Sequence, residues 1–504
     1  MPGLNPLLDA PIRWKAAATD PDLRDLLEDL QANILKGHGR HHAAHLFLSF
    51  KGMTPDAVAE VVRTLGRYCT SAYAQLRTNK RYPPHLDGGP VRCLFLSAGG
   101  YTALGGHATM PAGAAFAAGM AARQSILNDP PRAAWDKVGW RDHAPDAMFL
   151  VANADAAAVT RDLEDVEGWL NGTGVRILVI ERGLQQTRQF RPNAKPEGVE
   201  HFGYVDGRSQ PLFLEEDLEP EEASVAAEPR GAGDTGAPWS PRFKPSQFIV
   251  ADPNGRRSHS AGSYFVFRKL EQDVRGFNKA EDDLGKALFG ANATQVQLDR
   301  AGAMVVGRFE DGTPLVLHPS EQEQAVPNGF TYAGDPDGAK CPFHAHIRKT
   351  NPRGDIQREL NLPDNTGDRK PIMARRGITY GAKRPMSKDG REFDDAGREP
   401  VHDSGLLFMA YMADLEAQFE FTQQSWADNP DFVGNLNAAK GRPPTGVDPV
   451  IGQTGTASQR QHTYLDGHTQ GASPSVQSFA QFVHMKGGEY FFAPSLSFLR
   501  GVGL

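Results

Sequence analysis

One stretch of the sequence combines metal-ligating and cationic side chains. In Cys341–Arg353, His344 and His346 stand two residues apart and are followed by Arg348 and Arg353. A single histidine often holds haem iron, and arginine pairs well with carboxylates such as those on a porphyrin edge. Taken alone, the stretch is more typical of a basic surface loop with solvated histidines. Other parts of the chain must therefore show whether it binds haem.

Two further segments carry residues that could act on a ligand. In Gly203–Gly207, Asp206 lies in a glycine-flanked turn, where the backbone can approach a ligand and the turn can hold the carboxylate. An Asp-Gly pair alone, however, indicates an ordinary turn with a structural aspartate. Later, Arg375 and Arg376 precede a short apolar segment that ends at Gly381.

Composition restricts the class of protein. A chain of 504 residues exceeds the usual size of a single core, so two or more cores are expected. The 39% hydrophobic and 23% charged residues describe a soluble globular protein, and a net charge of −7 gives no nucleic-acid footprint. Apolar runs such as Leu406–Tyr411 are too short to span a bilayer.

The cysteines and the N-terminus indicate the compartment. Only Cys69, Cys93 and Cys341 occur, which argues against a disulfide framework. The first residues lack a charged start followed by a long apolar core, so no secretory signal is visible. We therefore expect a cytoplasmic protein.

Hydrophobic periodicity predicts the elements that would position these residues. The first half reads as β-α-β followed by β-α-β, and the second half restarts with a similar pattern. This order favours an α+β fold of two ferredoxin-like domains, each an antiparallel sheet with peripheral helices. The predicted division is an N-terminal arm at 1–20, a first domain at 21–225, a linker or surface loop at 226–245 and a second domain at 246–504.

Together the motifs resemble a known family. Gly203–Gly207, Cys341–Arg353 and Arg375–Gly381 occur in the order of the three haem-site motifs of the dye-decolourising peroxidases. Asn33–Arg40 and Gly487–Ser495 are also similar to that family, in particular to its long-chain bacterial and fungal branch. The similarity covers residues 25–500. It implies two ferredoxin-like domains, with haem b (iron protoporphyrin IX) bound mainly by the second.

The resemblance also implies roles for the chemically active residues. His346 matches the proximal iron ligand, Asp206 the distal acid–base residue and Arg375 the distal cation. His344 departs from the family pattern, so the choice between the two histidines stays open, with His346 favoured by the residues that follow it. Arg376 would meet solvent or a propionate.

Five more residues complete the expected cofactor site. Arg348 and Arg353 would meet the haem carboxylates, and Leu406 and Phe408 would line the distal pocket from one face of a strand. Asp414 is the candidate acceptor for the proximal ring N–H, with Glu416 and Glu420 as rivals.

The implied activity is that of a haem peroxidase. Asp206 would move a proton between the two oxygens of hydrogen peroxide, and Arg375 would stabilise the negative charge that develops as they separate. Bulky dyes, phenols and other aromatic compounds would be oxidised in one-electron steps. A carboxylate base predicts an acidic pH optimum. Neither nucleic acid nor membrane is an expected partner, and the sequence leaves a homo-oligomer open.

Three points have competing interpretations. The family is thought to oxidise bulky dyes at its surface, and Tyr332, Tyr411 and Trp426 are candidate relay residues, although ordinary core aromatics are more common. A haem-handling protein without turnover would need the ligand but not Asp206 and Arg375 together. A zinc hydrolase would lack a carboxylate partner near its candidate histidines, which are His38, His41, His42 and His45.

Overall fold

The computed structural model describes residues 6–81, 88–226, 238–326, 328–453 and 456–504. The N-terminal half alternates strands and helices. Its strands are β1 (His42–Ser49), β2 (Val91–Leu96), β3 (Ala147–Asn153), β4 (Arg176–Leu184), β5 (Gln186–Arg188) and β6 (Glu197–Val199). Its helices are α1 (Pro21–Asp29), α2 (Pro55–Tyr68), α3 (Ala72–Arg81), α4 (Ala98–Leu104), α5 (Ala114–Ala118), α6 (Gln124–Leu127), α7 (Ala156–Leu170) and α8 (Glu215–Ala226).

The C-terminal half repeats the alternation with longer connections. Its strands are β7 (Val250–Ala251), β8 (Ala261–Gln272), β9 (Ala374–Arg375), β10 (Ile378–Tyr380), β11 (Gly405–Met412), β12 (Gln461–Tyr464), β13 (Ser475–Ser478) and β14 (Val483–Ala493). Its helices are α9 (Val274–Phe289), α10 (Gln295–Val306), α11 (His346–Thr350), α12 (Asp355–Glu359), α13 (Thr366–Arg369) and α14 (Leu496–Gly501). Two π-helical segments, Leu415–Glu420 and Thr422–Ala427, follow β11.

Each half forms a four-stranded antiparallel sheet of ferredoxin-like order. The first runs β2-β3-β1-β4 and the second β14-β8-β11-β10. The sheets join at both edges, where Phe492 of β14 pairs with Leu96 of β2 and Tyr380 of β10 pairs with Gly183 of β4. The expected α+β class is therefore confirmed, with the two sheets hydrogen-bonded into one closed ring of strands.

The main core lies where the two sheets face each other. Phe47 of the first half meets Phe267 of the second with ring centroids 4.7 Å apart, and Phe95 meets Phe265 at 4.4 Å. All four side chains are fully buried. Burial of rings of this size supplies much of the stabilisation of a core, so the two halves stabilise each other through it.

The predicted domain division stays a proposal, which the two complete sheets support. Residues 227–237 of the proposed linker and residues 1–5 of the proposed arm lie outside the described residues. The described part of the arm packs on the protein through buried Leu8 and Ile12, and the Ile12 N–H donates to the carbonyl of Phe213 at 2.7 Å. Among the described helices, none is long and apolar enough to cross a membrane.

Candidate active site

One cavity, lined by residues of both halves, collects most of the predicted site residues. It opens to solvent and is mainly apolar in its lining. Five of the eight predicted site residues line it, from four separate segments: Asp206, His346, Arg375, Leu406 and Phe408. Residues up to 202 positions apart in the sequence are therefore brought to one site by the fold.

Strand geometry explains the apolar wall. Leu406 and Phe408 alternate with buried residues along β11, so their side chains share the face that lines the cavity. Leu270 and Arg268 of β8 pair with these two residues in register and line the same cavity.

Asp206 and Arg375 come together at another part of the wall. Nη1 of Arg375 lies 3.8 Å from Oδ1 of Asp206, and both side chains are about one third exposed. The main-chain N–H of Gly207 donates to Oδ1 of Asp206 at 2.6 Å. Gly203 has a φ of +113°, and a Cβ there would lie 2.7 Å from Oε1 of Glu310, so this position requires glycine.

His346 opens α11 and is held by a buried carboxylate. Its Nδ1 lies 2.8 Å from Oδ2 of Asp448, which is fully buried. The other carboxylate oxygen, Oδ1, accepts the main-chain N–H groups of Val450 and Ile451. Burial acts to raise the pKa of Asp448, but His346 and these N–H donors outweigh it and hold that pKa below its ordinary value. The arrangement leaves Nε2 of His346 for the cavity.

This geometry corrects the predicted partner of His346. Asp414 instead caps the segment that follows it, because its Oδ1 accepts the main-chain N–H groups of Glu416 and Ala417. Of the two rivals, Glu416 accepts the N–H of Ala115, and Glu420 binds Arg123 and Tyr490. The acceptor is Asp448, which the sequence analysis misses.

We expect Asp448→Asn to weaken haem binding or activity about 10- to 100-fold, as loss of an outer partner of a metal-binding histidine typically does. The side-chain shape is kept, but the ring N–H of His346 loses a charged acceptor. Haem affinity, measured by titrating the haem-free protein, checks this. Asp414→Asn is the matched control, since it only weakens a cap, and equal losses in both variants would contradict the assignment.

Arg348 departs from its predicted role. It is fully buried and forms ion pairs with Asp335 at 2.9 Å and with Asp355 at 2.7 Å, while its guanidinium packs over the rings of Tyr332 and Phe343. It does not line the cavity. Two carboxylates in the protein interior occupy this cation, so it stabilises the loop before α11 and is not free to meet a cofactor.

Arg353 departs from its predicted role in the same way. Its Nη1 donates to the carbonyls of Asn328 and Phe330, and its Nη2 donates to Oγ of Ser209 at 2.7 Å. Arg376 likewise donates to main-chain carbonyls, those of Asn33 and Ile34 among them. Ser209 lines the cavity, but Arg353 and Arg376 do not.

Replacing Arg348 by methionine is expected to destabilise the fold by about 3–5 kcal/mol, because Asp335 and Asp355 would stay buried without their cation. The free energy of unfolding in urea, at equal haem loading, measures the loss. Arg358→Met is the control: it removes a more exposed partner of the same Asp355 and should cost ~1 kcal/mol or less. A loss for Arg348→Met no larger than this control would refute the buried-pair account.

Arg308, in contrast to Arg348 and Arg353, is a buried cation that lines the cavity. It is 3% exposed and donates to neutral acceptors, namely Gly312, Ser209 and Asn328. In the described part of the chain it has no carboxylate partner. Burial, and after it the charge of Arg353, lower the pKa of Arg308 to about 9. A ligand carboxylate in the cavity would satisfy this cation.

His344 lies behind the proximal wall and does not line the cavity. Its ring packs 4.7 Å from the rings of His462 and Tyr464, and burial lowers its pKa well below the ordinary value. His346 is therefore the one of the two histidines that faces the cavity.

The three candidate relay residues lie in the core. Tyr332, Tyr411 and Trp426 are all buried, so none presents an oxidisable ring to solvent.

Across the described ranges, no three His, Cys, Asp or Glu side chains cluster as metal ligands would.

The cavity residues fit a haem. Nε2 of His346 can serve as an iron ligand because Nδ1 is held by Asp448. The apolar wall suits a porphyrin face, and the unpaired cation Arg308 suits its carboxylates.

Known proteins share this sequence and this fold. A multifunctional dye peroxidase from Amycolatopsis is 40% identical over 508 residues, covering 98% of this chain and 99% of that one, and its solved structure has a TM-score of 0.83. The chain belongs to the dye-decolorizing peroxidase family. This confirms the expected membership and identifies a haem-dependent peroxidase.

Two further dye-decolorizing peroxidases are similar to this chain, one in structure and one in sequence. The structure of an Anabaena dye-decolorizing-type peroxidase has a TM-score of 0.84 at 34% identity, covering 99% of this chain and all of that one. A dye-decolorizing peroxidase from Auricularia auricula-judae is 32% identical over 403 residues, or 72% of each protein. No protein-family profile matches the chain.

Proposed function

We propose that this haem peroxidase uses haem b to reduce hydrogen peroxide and oxidises bulky dyes, phenols and other aromatic compounds in one-electron steps. The observation that carries the proposal is the single cavity that joins His346, backed by Asp448, to the Asp206–Arg375 pair. The name of the Amycolatopsis relative, a multifunctional dye peroxidase, supports the same class of reducing substrate.

The proximal residues hold the cofactor. His346 would hold the iron through Nε2, and the buried carboxylate of Asp448 would fix the ring orientation and increase the basicity of the ligand. Arg308, together with Ser209, would hold a propionate. Bound haem supplies the redox chemistry.

The distal residues handle the proton and the charge. Asp206 accepts a proton from one peroxide oxygen and delivers it to the other, which leaves as water. Arg375 stays positively charged and stabilises the negative charge that develops as the O–O bond breaks. Leu406 and Phe408 exclude water from this region, which strengthens both interactions.

Oxidation of an anthraquinone dye and of a small phenol by the haem-loaded protein tests the proposal. Both reactions should proceed with hydrogen peroxide and stop without it. A protein that binds haem stoichiometrically but oxidises neither compound would be a haem carrier, and the proposal would then be wrong.

A further inference from the structure

Glu200 is a carboxylate on the cavity wall that the proposed mechanism does not use. It begins the turn that leads to Asp206. Oε1 accepts the main-chain N–H of Tyr204 at 3.0 Å, while Oε2 accepts that of Phe202 at 2.9 Å and Nε2 of Gln272 at 2.5 Å. No cation forms a hydrogen bond or an ion pair with it among the described residues.

These hydrogen bonds make Glu200 the centre of the turn. Its own N–H donates to the carbonyl of Tyr204, and its carbonyl accepts the N–H of Gly203, both at 3.1 Å. Asp206 follows two residues after Tyr204, and its N–H donates to Gly198 at 3.0 Å. The position of Asp206 therefore depends on the Glu200 side chain.

Gln272 provides an independent observation. It is 4% exposed at the end of β8, and its Oε1 has no hydrogen-bond partner in the described structure. Half a turn of the amide brings Oε1 against Glu200, where it can accept a proton from a neutral carboxyl group. The pair thus accommodates both protonation states.

We propose that Glu200 is a positioning residue for Asp206, and that its neutral form, hydrogen-bonded to the rotated amide of Gln272, is the working form. An ionised Glu200 would add a second negative charge beside the place where the peroxide becomes negative. In a water-poor cavity, that charge opposes the stabilisation by Arg375. The inference rests on the proposed role of Asp206 as the acid–base residue.

The surroundings of Glu200 are acidic. From α9, Glu281 accepts the hydroxyl of Tyr204, and burial raises the pKa of Glu281 well above its ordinary value. Glu310 borders the turn at Gly203 but is paired with Arg188. On β8, the cation Arg268 is occupied by a buried ion pair. None of these three groups therefore offers Glu200 an unpaired positive charge.

The titration supports this arrangement. Desolvation raises the pKa of Glu200 to about 7, and the nearby charge of Asp206 adds to the rise, although three N–H donors oppose it. The neutral form is therefore complete well below pH 7 and is lost as the pH rises through that value. In the proposed mechanism, kcat/KM for peroxide should therefore fall as the pH rises through about 7.

The pH profile of kcat/KM for peroxide, in the haem-loaded protein, tests the inference. The native chain should lose ~tenfold between about pH 6 and pH 8, as a single titration centred near 7 requires. Glu200→Gln, which stays neutral, should lose less than ~twofold over the same range. Glu321→Gln is the matched control, because desolvation and Asp311 raise the pKa of Glu321 to about 7 as well, yet it does not line the cavity.

If Glu200→Gln lowers kcat/KM for peroxide by the same factor at every pH, Glu200 has a purely structural role and the inference is wrong. Should that variant not fold, Gln272→Leu tests the same pair: it removes the amide that accepts the proton of neutral Glu200, so kcat/KM for peroxide well below pH 7 should fall, and an unchanged value there would count against the pair. In the Glu321→Gln background, which removes the other carboxyl group expected to titrate in this range, the infrared band of a neutral carboxyl group, measured without peroxide, should titrate near pH 7 and be lost on Glu200→Gln. This band separates the two proposals, since it reports on Glu200 even if the native chain oxidises no substrate.

Discussion

The His346→Ala variant is expected to lose its Soret band and its peroxidase activity together. His346 provides the ring nitrogen that faces the cavity, with its other nitrogen held by Asp448 at 2.8 Å. Without this ligand, the remaining contacts to haem are the apolar walls and Arg308, which cannot hold the iron in position. Absorption spectra at equal protein and haem concentrations measure the loss of binding, and dye oxidation measures the loss of turnover.

His344→Phe is the matched control for this variant. His344 packs among buried rings and does not line the cavity, so a ring of similar shape should preserve both the Soret band and most of the activity. The opposite pattern, with haem lost in His344→Phe and kept in His346→Ala, would assign the iron to the other histidine.

Replacing Arg375 by leucine is expected to lower kcat/KM for peroxide by about 100- to 1000-fold while the Soret band is kept. The guanidinium lies 3.8 Å from Asp206, and in the proposed mechanism it supplies the positive charge beside the breaking bond. Losing one such preorganised donor typically costs this much. Stopped-flow absorption at several peroxide concentrations measures the rate directly.

Asp206→Asn separates this role from a structural one. The variant should also slow the reaction with peroxide, by about 100-fold or more, because the amide cannot take the proton. Since both residues act on one step, the double variant should lose less than the product of the two single losses. Fully multiplicative losses would contradict a shared step, and an unchanged rate in either single variant would remove that residue from the mechanism.

Much of the fold can be predicted from the sequence because its elements have clear periodicity. Helix Ala156–Leu170 is an example, since an apolar face recurs along it and Asp155 caps its start. The alternation of Leu406 and Phe408 on β11 correctly predicts a shared face. Closure of the two sheets into one ring is not predictable in this way, because the pairings of Leu96 and Gly183 join distant strands.

The contacts of Arg348 and the partner of His346 are not predictable from the sequence. Arg348 looks the same in sequence whether it faces a cofactor or two buried aspartates, and only the fold brings Asp335 and Asp355 to it. Asp448 lies 102 residues after His346 in a loop with no periodic pattern, so no local signal joins them. Arg308 had a usable signal, because it stands inside the apolar run Met304–Phe309, where a buried cation needs a partner.

The absorption spectrum of the haem-loaded protein before and after one equivalent of hydrogen peroxide tests the central claim most directly. If one cavity joins His346, Asp206 and Arg375 into a peroxidase site, the Soret band should change rapidly on adding peroxide and return on adding dye. The change should be at least ~100-fold slower in Arg375→Leu. A Soret band that peroxide leaves unaltered in the native chain, or that responds equally fast in Arg375→Leu, would contradict the account.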